Sequence, residues 1–202
     1  MPGQKAPEEA RREQILHAAY QVALREGVDG VTVRAVAAEA GLSHGLVLFH
    51  FGRKDQLVGA LLDRVLSTTA MLTVSDDLAV HSDAPDRLRA HLRQELEQLQ
   101  RSPRDLRLFF EYWAIGTREP GIRTKVGAAL DRYRTALRAF AQDALNAAPL
   151  QRADVTAEGL SAVAVSLISG GAVQWMVDPE AFDMEAYLGT VRVLIEQLVA
   201  PA

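Results

Sequence analysis

The sequence predicts an all-α protein, and three observations carry that reading. Apolar residues recur at helical spacing along nearly the whole chain, while β-branched residues are scattered and never alternate with period two for more than a few positions. Glycine, proline or a capping hydroxyl stands where each helical pattern stops or restarts. With 202 residues, 49% of them hydrophobic, the chain can bury a substantial core.

The elements follow in order. Residues 8 to about 26 form a first helix, because Ile15, Ala19, Val22 and Ala23 share one face and Gly27 offers a stop. After VDGV, Thr32 caps a second helix with Val33, Val36, Ala37 and Ala40 on one face, and Gly41 ends it. Ser43 caps a third helix of about seven residues, closed by Gly52. Asp55 sits in the first turn of a fourth helix reaching about Met71, its charge favourable at the positive end of the helix dipole.

The turn formers of residues 73–85 predict a loop. Leu88, Leu92, Leu96 and Leu99 mark a helix over 86–101, and Ser102 with Pro103 starts another that runs through the aromatic cluster to Thr117. Pro120 and Gly121 separate it from a long helix reaching about Ala147. A loop to Thr156 leads to an apolar helix ending near Val177, and the last helix runs from Met184 to about Val199. The architecture is three short helices, then about six longer ones.

Composition excludes some chemistry. Without cysteine there is no disulfide framework, thiolate metal site or cysteine nucleophile. The first residues are polar, and no apolar run is expected to reach the roughly 18 to 20 residues of a membrane span, so the expectation is a soluble, cytoplasmic protein with no membrane partner. The net charge of −4 runs against nucleic-acid binding, which needs Lys and Arg on phosphate. Its distribution softens that objection: residues 1–57 hold seven basic and seven acidic side chains, so the whole deficit lies further along.

Residues 32–51, TVRAVAAEAGLSHGLVLFHF, meet the requirements of a helix-turn-helix. Small Ala37, Ala38 and Ala40 allow a close helix crossing, Gly41 supplies the turn, Leu42 plugs the gap, and Ser43 caps a second helix free to lie in a major groove. An ordinary helical hairpin built around a glycine would show the same pattern.

RREQILHAAYQVALREG, GVTVRAVAAEAGLSHG and HFGRKDQL together resemble the DNA-binding domain of the TetR family of bacterial repressors. FFEYWAIGTREPGIRTKV and GGAVQWMVDPEAFD are similar to the ligand-binding region of its BetI-type branch. The resemblance implies a three-helix DNA-binding domain at 1–54 and a helical ligand-binding and dimerisation domain at 55–202. It implies that Ser43, His44, Gly45 and Leu46 face base edges, that Phe49 and His50 approach bases or backbone, and that Thr32, Arg34 and Lys54 contact phosphate. It also implies a homodimer through the last two helices, a double-stranded DNA operator as partner, and a small-molecule effector that the sequence does not identify. Leu48 departs from the tyrosine of many relatives, removing one backbone contact that Arg53 or His50 could replace. Against these roles, His44 and His50 could be solvated surface residues and Phe49 or Phe51 plain core, of which Phe51 reads as core.

Other constellations fail on context. GLSHG matches the G-x-S-x-G elbow of α/β hydrolases, but a helix precedes it, no sheet is available, and the last histidine is His91. His91 and Glu95, four apart beside Arg89 and Arg93, read as a solvated face rather than a metal pair, and Asp76 with Asp77 reads as turn structure. No metal site, cofactor or enzymatic activity is expected. Phe109, Tyr112, Trp113, Tyr133, Gln174 and Trp175 are the candidate lining of an effector pocket, with plain core packing as their rival; Glu111 beside them would suit a cationic ligand. Ser169, Gly170 and Gly171 interrupt an apolar helix; since the resemblance places dimerisation on the last two helices, close approach of a partner helix is the expected cause, with a kink or a local packing need as its rival. The reading is a ligand-released repressor binding a pseudo-palindromic operator as a dimer; the alternative is a helical small-molecule-binding protein that has lost DNA recognition.

Overall fold

A computed structural model describes residues 8–68, 90, 91, 93, 94, 97, 103–147 and 154–199. Eight helices are described: α1 (Glu8–Glu26), α2 (Val33–Ala40), α3 (His44–Phe51), α4 (Lys54–Thr68), α5 (Pro103–Gly116), α6 (Pro120–Ala147), α7 (Ala157–Val177) and α8 (Met184–Val199). There is no strand among the described residues. The expected loop at 73–85 lies outside them; of the expected helix at 86–101, residues 90, 91, 93, 94 and 97 are described and helical.

The boundaries have local causes. The Oγ1 of Thr32 accepts the Ala35 N–H at 3.1 Å and the Oγ of Ser43 accepts the Leu46 N–H at 3.2 Å, each satisfying a donor that the first helical turn leaves free. Gly41 ends α2 at φ +65°, where its own N–H and that of Leu42 close on the carbonyls of Ala38 and Ala37; an L side chain is disfavoured in that conformation. The break before α6 falls at 117–119 rather than at Pro120 and Gly121. Pro120 instead opens the helix, where its missing N–H costs nothing.

The described chain divides into two compact units. In the first, residues 8–68 are joined by 104–127. Ile15, Ala19, Val22 and Ala23 of α1 are fully buried, as their spacing predicts, together with Val36, Val47, Phe51, Leu57, Leu61 and Leu62 of the next three helices. Polar side chains of α1 also serve the neighbouring helix ends: Arg12 donates to the His50 carbonyl at 2.8 Å and Gln14 to the Ala40 carbonyl at 2.9 Å. Arg12 in addition lies 4.2 Å above the Phe51 ring.

Helix α5 is fastened to this group by directed bonds. Asp105 accepts from the Tyr20 hydroxyl, and burial and that contact push the phenol up to about 12. Arg107 donates to the Leu24 carbonyl at 2.8 Å, capping the end of α1. Glu111 accepts the Val28 N–H at 2.7 Å, pairs with Arg107 at 3.4 Å, and would lie 3.0 Å from any Cβ added at Gly27. The Tyr112 hydroxyl donates to the Val58 carbonyl of α4 at 3.0 Å, and burial raises its pKa further above the usual phenol value. Lys125 donates to the Gly59 carbonyl at 3.0 Å and to Asp63 at 2.5 Å.

The second unit is built from most of α6 with α7 and α8. Helix α7 buries Leu160, Ala164, Ile168 and Ala172 on one face, and the Tyr187 hydroxyl of α8 donates to its Leu167 carbonyl at 2.6 Å. His91 is fully buried here, with Nε2 3.2 Å from the Tyr133 hydroxyl and its ring stacked on Phe140; burial holds its imidazole down at about 4. One expectation needs correcting. With 21 residues and a mean hydropathy of 1.6, α7 is long and apolar enough to cross a membrane. Scattered serines and glycines divide its aliphatic residues into short groups and hide that length.

Candidate nucleic-acid interface

The eight-residue α3 stands after a three-residue link from the equally short α2, and its side chains sort cleanly by face. Val47 and Phe51, four apart, point into the core. Ser43, His44, Gly45 and Phe49 are exposed, while Leu46, Leu48 and His50 are half-buried. Phe49, with 76% of its surface accessible, is a large aromatic left uncovered, and its ring meets that of His50 edge-on at 5.2 Å.

The residues expected on phosphate are also outward. Thr32, Arg34 and Lys54 are exposed; Thr32 uses an oxygen lone pair to cap α2, which leaves its O–H free to donate. Lys54 is the first residue of α4, where its ammonium adds to the uncompensated N–H groups of a helix start. Arg53 is exposed next to it. Leu48 brings no hydroxyl. Of the expected contact residues, Thr32, Arg34, Ser43, His44, Gly45, Phe49 and Lys54 are thus exposed, and Leu46 and His50 half-buried. Sequence reasoning missed Arg12 and Gln14, which hold the ends of α3 and α2. Their signal was a polar pair two apart on the first helix, too common to single out.

The aromatic candidates are divided between the two units. Phe109 and Tyr112 are fully buried in the first unit, with Trp113 half-buried beside them at 5.5 Å from the Phe109 ring. Tyr133 is buried in the second unit against His91, while Gln174 is exposed and Trp175 half-buried on α7. Glu111 is committed to Val28 and Arg107. A cleft of about 810 Å³ opens in the first unit, lined among others by His50, Phe51, Lys54, Val58, Ile115 and Ile122. In the second, a shallow groove of about 360 Å³ includes Gln174 with Val173, Val177 and Phe182. No group of acidic, histidine or cysteine side chains that could hold a metal occurs among the described residues.

Comparison with known proteins bears on these surfaces. The model for "bacterial regulatory proteins, tetR family" matches residues 15–61, and that for "BetI-type transcriptional repressor, C-terminal" matches residues 84–200. The chain is 31% identical over 194 residues to the HTH-type transcriptional regulator BetI of Burkholderia mallei, covering 96% of this chain and 95% of that one. It is 29% identical to the protein of the same description from Paraburkholderia xenovorans, covering 95% of both. Among solved structures, a transcriptional regulator from Saccharomonospora viridis in complex with choline has the same fold, with a TM-score of 0.75 and 22% identity over 97% of this chain and all of that one.

Proposed function

Because this chain belongs to the TetR family of DNA-binding transcriptional regulators, with a C-terminal region of the BetI type, we propose that it is a ligand-released repressor that binds a pseudo-palindromic operator as a homodimer. The observation that carries this reading is the outward face of α3: a capped helix held by α1 and α2, with Ser43, His44, Gly45 and Phe49 presented to solvent. Two copies related by a two-fold axis would place their reading helices about 34 to 36 Å apart, matching successive major grooves.

The dimer reading has its own support. On α7, residues Val163, Ser166, Gly170, Val173 and Val177 are all exposed at alternating spacings of three and four, opposite the buried face. A Cβ at Gly170 would meet nothing within the chain, so the glycine's helix cost of about 1 kcal/mol has no internal reason, whereas a partner helix would use the space. Val193 and Leu194 of α8 are likewise exposed. An apolar α7 covered by a second copy also accounts for its composition in a cytoplasmic protein.

The candidates for effector contact are Phe109, Tyr112 and Trp113 in the first unit and Tyr133, Gln174 and Trp175 in the second, each set taken within its own unit, and no catalytic step is assigned. An effector acts only through different affinities for the DNA-binding and released states. Choline, bound by the Saccharomonospora viridis regulator, is the first compound to test. In a gel shift with DNA upstream of its own gene, the protein should retard the duplex as a dimer and an effector should release it. Lys54→Ala should weaken binding to all sequences and reduce the salt slope by about 1.8, the contribution of one phosphate for each of the two protomers. Equal affinity for the upstream DNA and bulk competitor would overturn the reading.

A further inference from the structure

We infer that Phe49 is a sequence-reading residue that recognises the C5-methyl group of a thymine in each half-site. The inference rests on the DNA-binding reading above and adds to it the chemistry of one base contact. Most of the apolar side chains on α3 have an internal use: Val47 and Phe51 are core, and Leu46 and Leu48 are half-buried. Phe49 does not. Its phenyl ring is left 76% accessible on the face that also carries Gly45.

The glycine one turn earlier strengthens the case. Gly45 precedes Phe49 by four residues, which puts both on the same stripe of the helix. A Cβ at Gly45 would meet nothing within 4 Å, so packing inside the chain does not require glycine there, although glycine disfavours the helix by up to about 1 kcal/mol relative to alanine. Bare backbone next to an uncovered ring forms a surface that can approach a duplex closely and offers it no hydrogen-bond donor at the ring. In the major groove, the base-edge feature matching such a surface is the thymine methyl, the one apolar group that the four base pairs display there. The edge-on His50 ring limits the directions Phe49 can take and aims it.

The test uses the full-length protein and duplexes it enriches from a random-sequence library. Each thymine of an enriched duplex is replaced singly by deoxyuridine, which removes the methyl and leaves the pairing intact. At one position per half-site the wild-type protein should lose about four-fold in affinity, and about fifteen-fold when both half-sites are changed, as expected for one methyl-sized apolar contact each. Phe49→Ala should bind the thymine duplex more weakly and be indifferent to that replacement, while Phe49→Leu should keep part of the preference. Because the ring is exposed, an unchanged urea midpoint should show that both variants fold. Wild-type affinity unaffected by every uracil replacement, or Phe49→Ala keeping the full thymine preference, would overturn the inference and leave the regulator reading intact. Enrichment of no duplex at all would overturn both.

Discussion

Helices α5 and α7 are both rich in apolar residues, yet they use their remaining surface in opposite ways. The polar residues of α5 are aimed at partners: Asp105, Arg107, Glu111 and Tyr112 each bond a named group on α1, the α1–α2 turn or α4. Helix α7 buries one face and leaves valines, a serine and a glycine bare on the other. Directed bonds fix one geometry within a chain. An uncommitted apolar seam has value only when something covers it. The contrast teaches that α5 belongs structurally to the helix-turn-helix unit, whereas α7 keeps an apolar face exposed.

The sharpest way to break this contrast is to put a charge on the seam. Val173→Asp should cost about 3 kcal/mol or more at a covered interface, since an unpaired carboxylate would be buried. Sedimentation should then report a monomer and operator affinity should fall by more than a hundred-fold. A dimer of undiminished affinity would show that the seam lies elsewhere.

Acid should separate the two units next. The His91 imidazole is held at about 4 against an ordinary 6.5, so the folded state binds its proton less readily than the unfolded chain. The stability it confers is complete above about 6.5 and is lost as pH falls toward 4, by about 3 kcal/mol in all. Urea midpoints of the second unit should drop across that window, and His91→Gln should flatten the profile. A profile unchanged by the substitution would remove the assignment.

Glu111→Ala should cost about 1–3 kcal/mol because it strands the Val28 N–H. It should leave the dimer intact, the opposite signature to Val173→Asp, when urea denaturation is read beside sedimentation. The smallest effect is expected for Tyr112→Phe, which removes only the hydroxyl from the Val58 carbonyl. A loss of about 1 kcal/mol in the same denaturation measurement would match one net hydrogen bond, and none at all would detach α5 from α4 energetically.

The helices were legible because their signals are local. Thr32 and Ser43 cap where a hydroxyl before an apolar stripe says they should, and Gly41 marks its turn by being glycine. Much of the exposed face of α3 was legible for the same reason: a short helix with Val47 and Phe51 inward has a fixed set of outward positions. What could not be read were bonds between distant segments. Glu111 looks, in sequence, like a carboxylate beside aromatics and so like a cation site; its commitment to Val28, 83 positions away, is a fact of tertiary packing. The aromatic run divides for a similar reason, because one helix carries Phe109 to the core and Trp113 to its edge.

The first unit takes its residues from two separated stretches, 8–68 and 104–127. During synthesis the helix-turn-helix therefore leaves the ribosome before the segment that supplies Asp105, Arg107, Glu111 and Lys125 exists. At about 5–20 residues per second the wait is on the order of 3 to 12 seconds. Through that interval the Val28 N–H and the Leu24 carbonyl have only water, so a nascent or truncated head is looser than the finished one. Grafting the first 68 residues alone onto another protein would transplant the reading surface without the clasp that sets its shape.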